Sequence, residues 1–356
     1  MCHPHRPIYD ISKSYQENLE QGPFFEDPFP PRTFLEKNRW KQFLGCRAAS
    51  LIGVPAGPLL NANWVLFAAK MGFDILTYKT IRSHPHPAHP LPNMVYVDTK
   101  GPLTPDRKLE AVYTTKEPTF DLKQLATTNS FGIPSQDSDY LIADIAKARN
   151  GLAEGQILIV SVVGSSSNFT QECIKASHLA LEGGAQMIEI DLSCPNLSPG
   201  EGTLYTQPNR VFSIVSSLKK SIGLIPLIIK IGVIPKKETL KEVMVAAAKA
   251  GASAICGINT VSMKIMKEDG TPALGKNRLW AGVCGGPILP QALNYLQWAY
   301  AIKQEEKLDL TLMGTGGVSA PEHFDLFFEA GADVAMSAVG MMWNPYLAMQ
   351  HHGQQT

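Results

Sequence analysis

Residues 182–196 read Glu182-Gly183-Gly184-Ala185-Gln186-Met187-Ile188-Glu189-Ile190-Asp191-Leu192-Ser193-Cys194-Pro195-Asn196. A helical segment stops at a glycine, and two residues later an apolar stretch begins that reads as a buried strand. Glycine ends a helix by taking the left-handed conformation, and a link this short feeds a parallel strand. The same join recurs at Gly72-Phe73-Asp74 before Ile75 to Lys79, at Gly251-Ala252-Ser253 before Ala254 to Asn259, and at Gly331-Ala332-Asp333 before Val334 to Ser337.

The helices leading into these joins are apolar on one side, as in Val243, Met244, Ala247 and Ala248 or Phe324, Phe327 and Phe328. That pattern suits packing on the outside of a sheet. Further strands are expected at Leu51 to Val54, Ile157 to Val163, Leu227 to Ile231 and Leu310 to Gly314, which makes eight. Eight βα units can close into a barrel or lie open as a doubly wound sheet. Two segments break the rhythm. Residues 1–45 are polar and proline-rich with Phe24, Phe25 and Phe29, as in an arm wrapping a barrel spanning 46–350. Residues 80–155 form an insertion after the second strand, of the kind that builds lids or substrate walls.

With 356 residues and 44% apolar content, the chain can bury a large core. Its 32 basic and 32 acidic side chains cancel, so no broad positive field draws nucleic acid or an anionic membrane. A small-molecule substrate is the expectation. The six cysteines are widely spaced, with no Cys-x-x-Cys pair, and read as reduced thiols. The N-terminus lacks the apolar core of a signal peptide, and no stretch approaches the roughly 18 apolar residues of a membrane span. A cytoplasmic protein is expected.

In a barrel the functional face lies where the strands end. There the sequence places Lys79, Asp191 followed by Cys194 and Asn196, Lys230, and Asn259 with Thr260. Burying an ammonium is costly, so Lys79 and Lys230 are expected to face an anion or an electron-rich ring rather than snorkel to solvent. Gly314-Thr315-Gly316-Gly317 follows a strand and offers free N–H groups to a phosphate, although a plain tight turn reads the same way. Gly282 and Gly285-Gly286 are placed in the connection before that strand. Cys194 could serve as a general base once ionised, its unperturbed pKa being about 8.5, or it could merely pack. Asn129, Asn196 and Lys79 favour the first reading. His84, His86 and His89 alternate with prolines and have no acidic or cysteine companion, so an exposed loop is expected there and no metal site.

Taken in chain order, Thr77-Tyr78-Lys79, Pro90-Leu91-Pro92-Asn93, Asn129-Ser130-Phe131-Gly132-Ile133-Pro134, Leu192 to Asn196, Ile229-Lys230 and Gly314 to Gly317 resemble the dihydroorotate dehydrogenases. The resemblance implies an α/β fold, a (β/α)₈ TIM barrel that binds FMN, here with an N-terminal arm and an insertion after strand 2. A cysteine base marks the class 1 type, which implies a homodimer. By that likeness Cys194 takes a proton from C5 of dihydroorotate while hydride leaves C6 for flavin N5, in a step of pyrimidine biosynthesis. Lys230 would lie near flavin N1 and O2, and Lys79 beside the flavin as a second catalytic group. Ala56 and Gly57 would flank the isoalloxazine, with Asn129 touching both cofactor and substrate. Phe131, Gly132, Ile133, Asp191, Asn196, Asn259 and Thr260 would surround the substrate, and Gly286, Gly316, Gly317 and Ser337 the phosphate.

Three features depart from the family pattern. Asp191 stands where the family has asparagine, and an ionised carboxylate only accepts hydrogen bonds. Either a lysine pairs with it, or the substrate is a related dihydropyrimidine rather than dihydroorotate. Met336-Ser337-Ala338 replaces a Gly-Thr pair, and the arm is longer than class 1 normally carries. The electron acceptor stays open among fumarate, NAD through an iron-sulfur partner subunit, and a quinone. Two other readings stand beside the first. One is a flavin barrel that has lost dehydrogenase activity, and the other a colourless isomerase or lyase using Lys79 or Lys230 on a sugar phosphate.

Overall fold

All four joining glycines adopt positive φ, at 103° for Gly72, 90° for Gly184, 94° for Gly251 and 102° for Gly331. The structure, a computed structural model, describes residues 6–32, 34–104, 106–107, 110–165, 168–193 and 201–354. Eight strands follow the helix–strand rhythm: β1 Ile52–Val54, β2 Ile75–Ile81, β3 Ile157–Val162, β4 Met187–Asp191, β5 Leu227–Lys230, β6 Ala254–Gly257, β7 Thr311–Thr315 and β8 Val334–Met336. Each pairs in parallel with its sequence neighbour. β8 returns to β1 through Ala335 opposite Ile52 and Met336 opposite Gly53, so the sheet closes. That closure makes the fold a (β/α)₈ TIM barrel and removes the open-sheet alternative.

Alternation along the strands explains the core. Leu76, Leu158, Ile188, Ile229 and Ile255 face outward into the layer of helices. Ile75, Ile159, Met187, Ile228 and Met313 face inward, where Phe43 and Ala48 join them. Those two residues belong to a hairpin, Lys41–Phe43 against Cys46–Ala48, that plugs the end of the barrel where the strands begin. Replacing Phe43 with alanine should destabilise the protein by about 3–5 kcal/mol, because the closed sheet cannot collapse onto the cavity. Chemical denaturation would measure the loss, and a change below 1 kcal/mol would mean that the hairpin is not part of the core.

The other end of the barrel carries a structure that the sequence did not announce. Strands Met94–Asp98, Ala111–Thr114 and Ala126–Asn129, from the link between β2 and β3, join Val261–Met266 and Trp280–Gly285, from the link between β6 and β7, in a closed five-stranded sheet. Gly282 and Gly285, expected in a connection, are strand residues here, opposite Asn129 and Ala126. Each strand is short and finds partners far away in the chain, so no local pattern marks it.

The arm reaches this same end. The Ile8 N–H donates to Met342 O at 2.9 Å, and Tyr15 N–H donates to Asn93 Oδ1 at 3.2 Å. Helix Tyr15–Gln21 starts with a capping box made by Ser14 and Glu17. Farther along, Arg32 pairs with the buried Asp74 just ahead of β2. The arm therefore runs down one side of the barrel. Among the described residues, no helix is long and apolar enough to cross a membrane.

Candidate active site

A cleft of about 1030 Å³, its open mouth included, lies between the barrel's strand ends and the five-stranded sheet. Ala56, Gly57, Lys79, Asn129, Phe131, Ile133, Asp191, Lys230, Asn259 and Thr260 all line it. The barrel brings them together from β1, β2, β4, β5, β6 and the insertion. Gly132 lies between two of these residues without lining the cleft itself.

Lys79 and Lys230 are 9% and 3% exposed. Lys230 Nζ donates to Ala56 O at 2.9 Å, which fixes the ammonium beside the first βα turn. Lys230 also stands opposite Asp191 in the β5–β4 register. Asp191 Oδ1 accepts from Ser193 N at 2.9 Å and from Ser193 Oγ at 3.0 Å. Asn259 Nδ2 then donates to Ser193 Oγ at 3.1 Å. Asp191 thus works as an acceptor that orders the turn after β4, a task open to any Asx side chain. Below it, inside the barrel, Glu189 is fully buried, with the Ser161 hydroxyl and the Cys256 thiol as its nearest hydrogen-bonding groups. Burial raises its pKa, with the Lys230 charge opposing.

The glycine turns lie at one side of the cleft. Thr315 lines the cleft at the end of β7, and Gly316 and Gly317 follow with φ of 119° and 83°. A Cβ on Gly317 would sit 2.4 Å from Leu289 N, the first residue of helix Leu289–Glu305. The β7 turn therefore packs directly on a helix N-terminus. Gly286 precedes that helix and lines an adjoining cavity rather than the cleft. The Ser337 hydroxyl is turned into the chain, donating to Val318 O at 2.7 Å and accepting from Met341 N at 3.1 Å. It ties the β7 and β8 turns together instead of facing a ligand, while Ala338 lines the cleft. Cys194 and Asn196 lie outside the described residues, directly beyond Ser193.

Sequence reasoning missed several cleft residues. Tyr9 comes from the arm, and its hydroxyl is buried without a partner among the described residues. A single aromatic in a proline-rich stretch gave no signal of this. Cys284 also lines the cleft, where its thiol donates to Thr127 O at 3.3 Å and burial pushes its pKa up to about 11.

Comparison with known proteins decides the family. The family model for dihydroorotate dehydrogenase matches residues 113–351. A dihydroorotate dehydrogenase of Dictyostelium discoideum is 45% identical over 358 residues, covering 98% of this chain and 97% of its own. The chain belongs to the dihydroorotate dehydrogenase family. Within that family it also resembles the catalytic subunit of dihydroorotate dehydrogenase B (NAD(+)) of Caldicellulosiruptor saccharolyticus, 30% identical over 52% of this chain and 58% of the relative. Dihydroorotate dehydrogenase A (fumarate) of Lactobacillus delbrueckii subsp. bulgaricus is 27% identical over 66% and 73%. The fold agrees with a crystal structure of DHODH from Eimeria tenella in complex with ferulenol, at TM-score 0.71 and 17% identity over 92% of this chain and 86% of that one. The dihydroorotate dehydrogenase model spans Asn129, Asp191, Lys230, Asn259 and the glycine turns. Lys79, Ala56, Gly57 and the arm precede it.

Proposed function

We propose that this member of the dihydroorotate dehydrogenase family oxidises (S)-dihydroorotate to orotate with FMN held in the cleft. The observation that carries this reading is the pair of buried lysines, Lys79 and Lys230, facing one cleft with Asn129, Asn259 and Thr260. Two ammonium groups at one cleft raise its positive potential and favour an anionic or electron-rich ligand there.

The residues present fit a flavin. The cleft volume suits a ligand of that size, and nothing lies within 4 Å of where a Cβ on Gly57 would stand, which leaves its face open to a flat ring. Gly316, Gly317 and the start of helix Leu289–Glu305 offer backbone N–H groups to a phosphate, with Gly286 just behind. Ser337 would help by tying the two turns together, not by touching the phosphate. Bound there, FMN supplies a two-electron acceptor for hydride.

The chain's own groups do the rest. Cys194 takes the C5 proton, Lys230 holds its positive charge where negative charge accumulates, and Lys79 does the same from β2. Asn129, Asn196, Asn259 and Thr260 hydrogen-bond the ring amides, with Phe131, Gly132 and Ile133 around the carboxylate. Asp191, bonded to Ser193 and opposite Lys230 in the strand register, holds the residue that directly precedes Cys194. Residues 46–350 act as the catalytic unit, and the 1–45 arm contributes a wall through Tyr9. On the class 1 likeness, two copies associate.

Purified protein should be yellow, or become so with added FMN, and heat should release FMN in about equal molar amount. A colourless protein that takes up no FMN would sink the proposal and favour the sugar-phosphate isomerase or lyase reading.

A further inference from the structure

The turn from Ser130 to Pro134 holds a backbone conformation that its sequence resists. Gly132 has φ of 80°, and Ile133, a β-branched residue, has φ of 54°. Side chains branched at Cβ rarely take that conformation, and the cost is about 1–3 kcal/mol. Something outside the turn must hold it.

Four successive carbonyls show what does. Ser130 O accepts from Arg278 Nη1 at 3.2 Å, and Phe131 O accepts from His89 N at 2.9 Å. Gly132 O and Ile133 O accept from Arg82 Nη2 at 3.3 Å and Nε at 3.1 Å. Arg82 lies just beyond β2 and is 5% exposed. Arg278 comes from the opposite side, in the link between Val261–Met266 and Trp280–Gly285. It also donates to Pro90 O at 2.9 Å and Pro92 O at 3.1 Å, so it binds the turn to the segment beside it. With the carbonyls taken, the N–H groups of Phe131, Gly132 and Ile133 have no acceptor among the described residues. Successive free N–H groups of this kind form an anion-binding concavity.

We propose that Arg82 and Arg278 are a two-sided clamp that holds the 130–133 turn, placed around the substrate carboxylate above, in its binding conformation. The inference rests on the dihydroorotate reading. Both act as positioning residues, through hydrogen bonds to backbone carbonyls of the turn and of the segment beside it. Arginine is required at position 82 because its planar fork spans two carbonyls in succession, which a lysine ammonium cannot do in the same geometry. The two cations also raise the local positive potential where the carboxylate arrives.

The test uses the full-length FMN-loaded protein and the variants Arg82→Met, Arg82→Lys and Arg278→Met. Orotate binding to the oxidised form is read from the shift it causes in flavin absorbance, and steady-state KM and kcat for dihydroorotate are measured alongside. Each Met variant should raise the orotate Kd and the KM by at least about 10-fold, as expected for loss of charge-assisted positioning. Flavin content should stay at the wild-type level, and kcat should stay within about threefold. Arg82→Lys should rescue little of the loss. An orotate Kd within twofold of wild type in flavin-loaded Arg278→Met overturns the clamp, as does a fall in kcat and flavin content with Kd unchanged. Should Arg82→Met fail to fold, the less buried Arg278→Met decides. Wild-type protein that binds no orotate would instead refute the dihydroorotate reading itself.

Discussion

Replacing Cys194 with alanine should leave the protein folded and yellow while slowing flavin reduction by dihydroorotate roughly 10²- to 10⁴-fold, the usual contribution of a general base. Three of the other thiols are unsuited to that role. Cys173 and Cys256 are fully buried, and burial pushes both thiols well above their ordinary range. Cys284 reaches the cleft, but its thiol donates to Thr127 O and is pushed up to about 11, so near neutral pH it is a donor and not a base. Cys194 follows Ser193, whose hydroxyl and N–H both bond to Asp191 at the cleft. Anaerobic rapid mixing would follow the flavin band directly. Full-speed reduction in Cys194→Ala would remove the thiol from the chemistry.

The second large effect is expected at Lys230. Methionine keeps most of the stem and deletes the charge, so packing changes little while the electrostatics change greatly. Loss of a preorganised cation beside developing negative charge should slow reduction by roughly 10²- to 10³-fold. It should also make the midpoint potential of the bound flavin more negative, since the cation favours the reduced, more negative ring. The surroundings amplify the effect. Lys230 is anchored on Ala56 O and stands opposite Asp191, and its charge acts on the buried Glu189 carboxyl beneath. Without the lysine, the one charge that eases ionisation of Glu189 is gone, and its pKa rises further. Spectroelectrochemical titration of Lys230→Met measures the potential. An unchanged potential together with an unchanged rate would exclude Lys230 from the site.

Legibility in the sequence followed locality. The eight barrel strands were readable because each is continuous and apolar, and four are announced by a glycine that must turn left-handed. Once the barrel was expected, Lys79, Asp191, Lys230 and Asn259 stood out as polar residues at strand ends, and the structure gathers them around one cleft. The five-stranded sheet was unreadable because its strands come from two insertions more than 130 residues apart. Arg82, Arg278 and Tyr9 were missed for the same reason, each acting through a partner distant in sequence. Ser337 had the right chemistry for a phosphate, but the close approach of the β7 and β8 turns gives its hydroxyl to Val318. The departure at Asp191 reads in the sequence as an obstacle to dihydroorotate, and no local pattern announces that its Oδ1 accepts from both the N–H and the hydroxyl of Ser193.

The most direct measurement is anaerobic addition of dihydroorotate to the FMN-loaded protein. The visible flavin band should bleach with about one equivalent of substrate and orotate should appear in equal amount. A band that persists with excess dihydroorotate, yet bleaches with dithionite, would contradict dihydroorotate oxidation and leave a flavin barrel without that activity.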